Sequence, residues 1–417
     1  MGITRREALR GGSALVGGSV ALAGLLGMPE ASAAEAPLTG TFTGTFTGTF
    51  TGTFTPEAGP TPTPAPSTPT LATTPTPAPT AVDLPRLVDV FNPPTTDPAQ
   101  FARRYSVVVY NADAGAFVAA MQAANPDLES YQYILSTQIS DNAKYYKNNV
   151  GGIYRDAPTW VEADYLHNGR GERLYEVQWD NIRIWQMNPA SQRFRDWFFP
   201  RAADLAGKSY GDLFLDNVDC HDHRVKHKHQ NQDGRLQEFG NNDGQYRAAV
   251  LAYTQALMAY LRQHVSGIKV CANVTSQWDV QNDIDPILAL LDAWLQEYFV
   301  GRWNPAPETG ALWEMQVKQI ERASQQGKRS LVFAQGTQGD TKRYLYTYAS
   351  YLLIANPLVG FAYTASNYEN RWWYPEYDRT LGAALGNRVQ AGTSIWERKF
   401  EGGTVRVNTA LAIGSIA

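Results

Sequence analysis

Short apolar runs alternate with amphipathic segments from about Leu84 to the C-terminus. This alternation is typical of a parallel α/β fold, because buried parallel strands read as apolar runs and the helices between them keep a polar face. Eight runs are predicted strands: Tyr105–Asn111, Tyr131–Thr137, Ile182–Asn188, Asp212–Asn217, Ile268–Val274, Ala293–Val300, Ser330–Gly336 and Val359–Thr364. Eight such strands with helices between them predict a (β/α)8 TIM barrel over residues 84–390.

Four amphipathic segments lie between these runs and are predicted helices: Gln192–Leu205, Tyr246–His264, Ala311–Gln326 and Thr341–Ile354. The segment from Asp141 to Asp180 has no clear period, and we expect a long loop over the active face. Residues 391–417 hold two strand-like runs around a Gly-rich turn, so they predict a small β-hairpin packed on the barrel.

Residues 283–300 allow two interpretations. They can form one helix, or a short helix from Pro286 to Leu291 followed by a strand from Ala293. Glu297 lies on a helix face in the first case and at a strand end in the second. Apolar and polar residues do not alternate cleanly here, so the pattern does not decide. We predict the strand, because the barrel otherwise lacks its sixth member.

The first 33 residues have the features of an export signal. Arg5 and Arg6 precede a moderately apolar run with six Gly, and Ala31-Ser32-Ala33 forms a small-residue cleavage site. The pattern resembles a twin-arginine signal in which Ala8 replaces the usual Phe. It predicts a secreted protein that keeps no membrane span after cleavage. Attachment to the cell envelope is compatible with this prediction.

Residues 34–83 are of low complexity. Thr-Gly-Thr-Phe occurs four times between Thr39 and Phe54, and Thr, Pro and Ala dominate the rest. Such sequence has no sustained apolar face to bury, so it predicts a disordered linker.

Charge and cysteine content narrow the possibilities. The formal net charge is −4, and it becomes −5 without residues 1–33, which hold three Arg and two Glu. This balance is not that of a nucleic-acid-binding protein. Cys220 and Cys271 are the only cysteines, so no disulfide framework supports the fold, and the sequence leaves open whether they are bridged. We expect a monomer.

Two acidic residues are candidates for catalysis. The stretch Gly211–Asp219 holds three consecutive apolar residues that lead directly into Asp216, and Glu297 ends the predicted sixth strand. Cleavage of a glycosidic bond needs two carboxyl groups on either side of it, one protonated and one ionised. Strands of equal parity point into the same layers of a barrel, so the fourth and sixth strands can supply such a pair. The alternatives are an Asx turn for Asp216 and an exposed helical position for Glu297.

Polar and aromatic residues near the other predicted strand ends are candidates for sugar binding. Amides, phenols and indoles there could bind hydroxyl groups or sugar faces, and each could equally well cap a loop. The predicted substrate-binding residues are Asn111, Asp113, Gln186, Asn188, Asn217, Asp219, Asn273, Trp303, Gln335, Tyr363 and Trp372.

The loop after the fourth predicted strand holds four of the six His. Imidazoles at such a position are what a metal-dependent hydrolase needs. Their alternating spacing with Lys and Arg is more typical of a solvated loop, and His223 and His227 would need a helix to share one face. No metal and no cofactor are therefore predicted.

Several motifs resemble a known group of proteins. Trp185–Pro189, Phe194–Trp197, Phe214–Asn217, Tyr374–Glu376 and the final hairpin are similar to glycoside-hydrolase-like families of secreted bacterial barrel proteins. These families are related in layout to endo-α-1,4-polygalactosaminidases and more distantly to the α-galactosidase clan. The resemblance implies a polysaccharide substrate, and a strand-four Asp and a strand-six acid as the catalytic pair, which here are Asp216 and Glu297.

The α-galactosidase clan further implies that Asp216 is the nucleophile and Glu297 the acid/base of a retaining reaction. The family's third strand ends in Asp-Pro, where this chain has Asn188-Pro189. Two other hypotheses remain open at this point. One is a metal-dependent polysaccharide hydrolase or deacetylase that uses the His-rich loop, and the other is a carbohydrate-binding barrel without catalysis.

Overall fold

The structure is a computed structural model. It describes residues 85–91, 96–111, 114–140, 159–177, 183–209, 211–218, 220–221, 225, 229–240, 242–274, 284–301, 306–366, 368 and 370–417. The predicted export signal and linker, residues 1–33 and 34–83, lie outside this range. In the described part of the chain, no helix is long and apolar enough to cross a membrane.

Helices and strands alternate through most of the described chain. The strands are β1 Val88–Phe91, β2 Val107–Tyr110, β3 Glu129–Leu135, β4 Gln138–Ser140, β5 Tyr175–Val177, β6 Arg183–Gln186, β7 Asp212–Asp216, β8 Val270–Asn273, β9 Ala293–Gln296, β10 Arg329–Gln335, β11 Val359–Thr364, β12 Val389–Gly392, β13 Ile395–Phe400, β14 Gly403–Asn408 and β15 Ile413–Ile416. The α-helices are α1 Pro98–Arg104, α2 Gly115–Ala124, α3 Gln192–Lys208, α4 Asp243–His264, α5 Asp285–Leu290, α6 Gly310–Gln325 and α7 Thr341–Ile354.

Eight parallel strands form the central sheet in the order β1-β2-β3-β7-β8-β9-β10-β11. The sheet is nearly closed, because an isolated parallel bridge joins Leu87 to Phe361 between its first and last strands. The predicted TIM barrel is thereby confirmed. Its interior is filled by a buried cluster that includes Val107, Tyr131 and Phe214, whereas a larger cluster packs between the strands and the helices.

Two predicted strand positions were wrong or missing. Residues 182–188 do not form the third barrel strand, because β6 is the middle strand of a separate antiparallel sheet with β4 and β5. The first barrel strand is β1, which the sequence analysis did not identify. The two errors cancel in the numbering, so β7 and β9 remain the fourth and sixth barrel strands.

The contested segment 283–300 forms a short helix and then a strand. α5 ends at Leu290, and β9 pairs in parallel with β8 and β10. All four residues of β9 are buried. The predicted strand from Ala293 is confirmed, and it puts Glu297 at the carboxyl end of the barrel.

Side-chain caps begin three of the long helices. Ser191 at α3, Asn242 at α4 and Asp340 at α7 each accept a hydrogen bond from a backbone N–H of the first turn. These bonds satisfy N–H groups that have no partner inside the helix. The capping side chains therefore fix the residues at which these three helices begin.

The C-terminal residues form an antiparallel sheet of four strands in the order β12-β13-β14-β15. It is larger than the predicted hairpin. Buried Arg398 attaches it to the barrel by donating hydrogen bonds to Leu352 O at 3.1 Å and Ala355 O at 2.8 Å. The positive guanidinium thus lies at the C-terminus of α7, where the last carbonyls of a helix lack partners.

Gly360 lies on the last barrel strand where the first strand approaches it. A Cβ atom at this position would lie 2.6 Å from Val88 Cγ2. We expect Gly360→Ala to lower the free energy of unfolding by about 1–3 kcal/mol, because the seam would be overpacked. Urea denaturation followed by circular dichroism measures the change.

Gly207→Ala on α3 is the matched control, since a Cβ there meets nothing within 4 Å. It should stabilise the protein by up to about 1 kcal/mol through helix propensity. Adding Val88→Ala to Gly360→Ala should restore much of the lost stability, because the smaller side chain makes room for the new Cβ atom. A Gly360→Ala variant as stable as the wild type would contradict this close packing.

Candidate active site

Asp216 lies at the carboxyl end of β7, after three fully buried apolar residues. Its side chain is 5% exposed. Oδ2 accepts a hydrogen bond of 2.6 Å from Tyr133 Oη on the neighbouring strand β3, and Oδ1 accepts one of 2.9 Å from the backbone N–H of Asn217. Asn217 has a φ of 58°, a left-handed conformation that Asn adopts more readily than most residues.

Glu297 follows β9 directly and is 9% exposed. Its Oε1 accepts a short hydrogen bond from Tyr368 Oη. Tyr368 Oη accepts in turn from Gln335 Nε2, at the end of β10, at 2.7 Å. A chain of two hydrogen bonds therefore runs from Gln335 through Tyr368 to Glu297.

Asn273, the last residue of β8, joins the two carboxyl groups. Its Nδ2 donates to Asp216 Oδ1 at 3.0 Å and to Glu297 Oε2 at 3.1 Å. Because both distances meet at one nitrogen atom, these two oxygens cannot be more than about 6 Å apart. Both predicted catalytic side chains thus meet at the Asn273 amide, which ends β8, the strand between β7 and β9.

The named donors to the two carboxyl groups are neutral: two phenols, one side-chain amide and one peptide N–H. They form hydrogen bonds but no ion pair, so they do not cancel the charge of an ionised carboxyl group. Glycoside cleavage needs one ionised and one protonated carboxyl group, and neutral donors are compatible with both states.

The two tyrosines, Tyr133 and Tyr368, were not among the predicted site residues. Tyr133 could have been found, because it lies two residues after Tyr131 within a predicted strand and so shares its inward face. Tyr368 carries no comparable signal. It lies after β11 in a left-handed conformation, with a φ of 57°, and tertiary contacts bring it to Glu297.

Among the predicted sugar-binding residues, Asn273 and Gln335 lie in the hydrogen-bond network of the carboxyl pair. Asn217 lies beside it, and its Nδ2 donates to Gln138 Oε1 at 2.7 Å. This bond attaches the small antiparallel sheet to the end of β7.

The assignment of Gln186 and Asn188 to a barrel strand end was wrong, because both belong to the small sheet and its exit. Gln186 is fully buried, and its Nε2 donates to Thr137 Oγ1 at 2.9 Å. Asn188 Oδ1 accepts from Ala190 N at 2.9 Å, just before α3. These contacts are those of a buried strand residue and a turn residue.

Three further predicted residues lie in the described part of the chain, namely Asn111, Tyr363 and Trp372. Asn111 follows β2, and its carbonyl oxygen accepts from Ala114 N. Tyr363 on β11 is buried and packs against Trp372 with ring centroids 5.8 Å apart. Asp113, Asp219 and Trp303 lie outside the described residues.

The His-rich loop is described only in part. His221 and His229 are buried, and a ring nitrogen of His229 lies 2.6 Å from Val225 O. His223 and His227 lie outside the described residues, and within the described ones no three His, Cys, Asp or Glu side chains form a group that could hold a metal ion.

The two cysteines are not bridged. Cys220 and Cys271 are both free and buried. Burial raises the pKa of the Cys271 thiol well above its usual value. Cys271 is thus a packing residue of the barrel interior.

The shared amide can be tested by Asn273→Asp. A third carboxyl group beside two others favours a proton-bound state, so the folded variant should bind more protons than its unfolded chain. Its stability should be least affected near pH 4 and should fall as the pH rises. At pH 7.5 we expect a loss of about 3–5 kcal/mol in the free energy of unfolding, measured by urea denaturation.

Asn242→Asp is the matched control for this substitution. Asn242 is an exposed N-cap of α4, where Asp caps as well as Asn. Its stability should change little between pH 4.5 and 7.5. An Asn273→Asp variant with the same pH dependence as this control would contradict the shared position of the amide.

The chain is similar in fold to several solved structures. The glycoside hydrolase domain of PelA from Pseudomonas aeruginosa is 14% identical, over 68% of this chain and 96% of that chain, with a TM-score of 0.45. The α-L-fucosidase isoenzyme 2 from Paenibacillus thiaminolyticus is 11% identical, over 69% and 46%, with a TM-score of 0.41. The GH36 α-galactosidase AgaA from Geobacillus stearothermophilus is 11% identical, over 78% and 47%, with a TM-score of 0.43. No curated protein sequence matches the chain.

A family comparison covers most of the barrel and part of the C-terminal sheet. The family model described as hypothetical glycosyl hydrolase family 15 matches residues 122–404. This range includes Asp216, Asn273, Glu297 and both tyrosines of the site. The chain therefore belongs to the hypothetical glycosyl hydrolase family 15.

Proposed function

We propose that this glycosidase cleaves its substrate with Asp216 and Glu297 as the catalytic pair. The proposal rests on one observation: the side-chain amide of Asn273 donates a hydrogen bond to each of two buried carboxyl groups that come from different barrel strands. Glycoside cleavage is the chemistry that uses two such groups across one bond. Family membership supports the same reaction class.

The separation of the carboxyl groups favours a retaining mechanism. Retaining enzymes have carboxyl groups about 5–5.5 Å apart, and inverting enzymes about 6.5–9.5 Å, which leaves room for a water molecule. The bound of about 6 Å holds for one oxygen of each group, Asp216 Oδ1 and Glu297 Oε2, and this close approach supports the retaining arrangement.

The reaction then has two steps. In the first, an Asp216 oxygen bonds to the anomeric carbon while the bond to the leaving oxygen breaks, and Glu297 gives that oxygen a proton. In the second, water bonds to the anomeric carbon and gives a proton to Glu297, and Asp216 is released. Glu297 serves as acid and then as base.

The surroundings support this assignment of roles. Asp216 accepts from Tyr133, Asn273 and a peptide N–H, which favours the ionised carboxylate that a nucleophile must be. Glu297 interacts with Tyr368, whose hydroxyl can donate to the carboxylate or accept from the acid as the proton moves.

The substrate is a saccharide, and we propose that it is an extracellular or cell-envelope polysaccharide. The twin-arginine-like leader and the Thr/Pro-rich linker support export and a tether between the barrel and an envelope. Secretion remains a proposal that rests on the sequence.

The catalytic pair is tested by Asp216→Asn and Glu297→Gln. The substrate is a polysaccharide that the wild type hydrolyses. Each variant should lower kcat on it by about 10²–10⁴-fold or more, because it removes the nucleophile or the proton donor. Release of reducing ends measures the rate. Asp212→Asn, at the opposite end of β7, is the matched control and should retain wild-type activity.

Full activity in either catalytic variant would overturn the assignment. Activity that a chelator removes would instead favour the metal-dependent alternative. Polysaccharide binding without turnover in the wild type would favour a binding protein.

The two tyrosines should both support the catalytic pair. Tyr133→Phe removes a donor from Asp216, and Tyr368→Phe removes a donor from Glu297. Each substitution should lower kcat/KM by about ten- to a hundredfold, because a hydrogen bond to a charged group contributes about 1.5–3 kcal/mol.

Tyr260→Phe on α4 is the control and should retain the wild-type kcat/KM. The measurement is kcat/KM from the release of reducing ends. A wild-type kcat/KM in both Tyr133→Phe and Tyr368→Phe would contradict a supporting role for these hydrogen bonds.

A further inference from the structure

Tyr368 reaches Glu297 from outside the barrel strands, unlike the other side chains that contact the carboxyl pair. Tyr133 and Asn273 lie on strands of the central sheet, whereas Tyr368 follows β11 and has a φ of 57°. A backbone outside the sheet gives a side chain less support than a strand that is paired on both sides. Side-chain contacts must therefore fix the position of the Tyr368 hydroxyl.

Two residues of β10 supply these contacts. Phe333 packs against the Tyr368 ring, with ring centroids 6.1 Å apart. Gln335 Nε2 donates a hydrogen bond of 2.7 Å to Tyr368 Oη. Residues two apart on a strand point to the same side, so a single strand holds both the ring and the hydroxyl of Tyr368.

The backbone of Gln335 is itself fixed on several sides. Its N–H donates to Gly301 O at 2.9 Å, and its carbonyl oxygen accepts from Arg343 Nη1 at 3.2 Å. Gln335 also pairs with Thr364 in the parallel ladder of β10 and β11, and it is only 2% exposed. Its side-chain amide therefore starts from a defined position, and little conformational entropy is lost when it binds the Tyr368 hydroxyl.

The Tyr368 hydroxyl has a single proton that could point in more than one direction. A phenol can donate that proton to Glu297, or it can turn the proton away and accept a hydrogen bond instead. The Gln335 amide N–H occupies one lone pair of Oη, and its positive hydrogen disfavours a hydroxyl proton on the same side. Glu297 Oε1 is then the acceptor for the Tyr368 proton.

The direction of this proton affects Glu297, because both oxygens of its carboxyl group accept hydrogen bonds. Oε1 accepts from Tyr368, and Oε2 accepts from Asn273 Nδ2 at 3.1 Å. A proton that Glu297 itself carries must use a lone pair that neither donor occupies. Such a proton is not given to the hydrogen-bond network and is available for transfer to a leaving oxygen.

We propose that Gln335 is a positioning residue for the reaction. It donates to Tyr368, so that Tyr368 donates to Glu297 and holds the carboxyl group in the orientation for proton transfer. This inference rests on the proposed function, because it needs Glu297 as the acid/base. The amide that the sequence predicts to bind sugar is thereby assigned to the enzyme's own proton donor.

Gln335→Met tests this role, because Met is similar in length and cannot donate a hydrogen bond. On a polysaccharide that the wild type hydrolyses, kcat should fall by about two- to tenfold, as expected for the loss of one hydrogen bond. KM should change by less than about twofold, since no contact with the substrate is removed. Gln319→Met on α6 is the matched control, because Gln319 is 1% exposed, and it should retain the wild-type kcat.

The Tyr368→Phe background separates a positioning role from a direct one. Without the hydroxyl, Gln335 has no group through which to act, so adding Gln335→Met should lower kcat by less than about a further twofold. The same loss in both backgrounds would show that Gln335 acts independently of Tyr368, and it would overturn the proposal. A wild-type kcat in the single Gln335→Met variant would also overturn it.

Proton NMR of the whole protein gives a readout that needs no turnover. A hydroxyl proton held between Tyr368 and a buried carboxyl group should exchange slowly and resonate downfield of the amide protons. Tyr368→Phe assigns this resonance by removing it. Gln335→Met should shift it, because hydrogen bonds in a chain polarise one another, whereas Gln319→Met should leave it in place. A resonance that Gln335→Met does not move would contradict the coupling.

Gln335→Leu also lacks a donor, and it should give the same kinetic and NMR results if Gln335→Met fails to fold. The positioning role and the proposed function fail separately. Full activity in Glu297→Gln would reject the acid/base itself. An inactive Glu297→Gln variant together with a wild-type kcat in Gln335→Met would keep the catalytic pair and reject the role of Gln335.

Discussion

The hydrogen bonds from Asn273 Nδ2 to Asp216 and Glu297 are the interaction on which the rest of the site depends. Two carboxyl groups buried this close together repel each other when both are ionised, so they need donors that stabilise them. Asn273 supplies one donor to each and fixes the distance between them. Tyr133 and Tyr368 then hold the outer oxygen of each carboxyl group. The same neutral donors leave the pair with the charge that bond cleavage requires.

The barrel explains why these side chains can converge. Asp216, Asn273 and Glu297 come from three consecutive strands of one parallel sheet, at the ends that face the same side. Backbone pairing on both sides fixes each strand, so the positions of the side chains do not depend on loop conformation. The seam between β1 and β11 is the exception. There an isolated parallel bridge between Leu87 and Phe361 joins the first and last strands in place of a continuous ladder.

Much of this site could be predicted from the sequence, because strand ends leave a local pattern. The apolar run into Asp216 and the amide at Asn273 are such patterns, and the barrel followed from the alternation of runs. Residues 182–188 were wrongly predicted as a barrel strand, since a strand of the small antiparallel sheet has the same apolar character. β1 was missed because Asp89 interrupts its apolar run. The position of Tyr368 depends on tertiary contacts, which no local pattern records.

The anomeric configuration of the first product tests the account most directly. It can be read by proton NMR during early hydrolysis of a polysaccharide substrate, before the free sugar equilibrates. Carboxyl oxygens held within about 6 Å by one amide predict a product with the same configuration as the substrate. An inverted product would require a water molecule between the two groups, and it would contradict the shared position of Asn273 during the reaction.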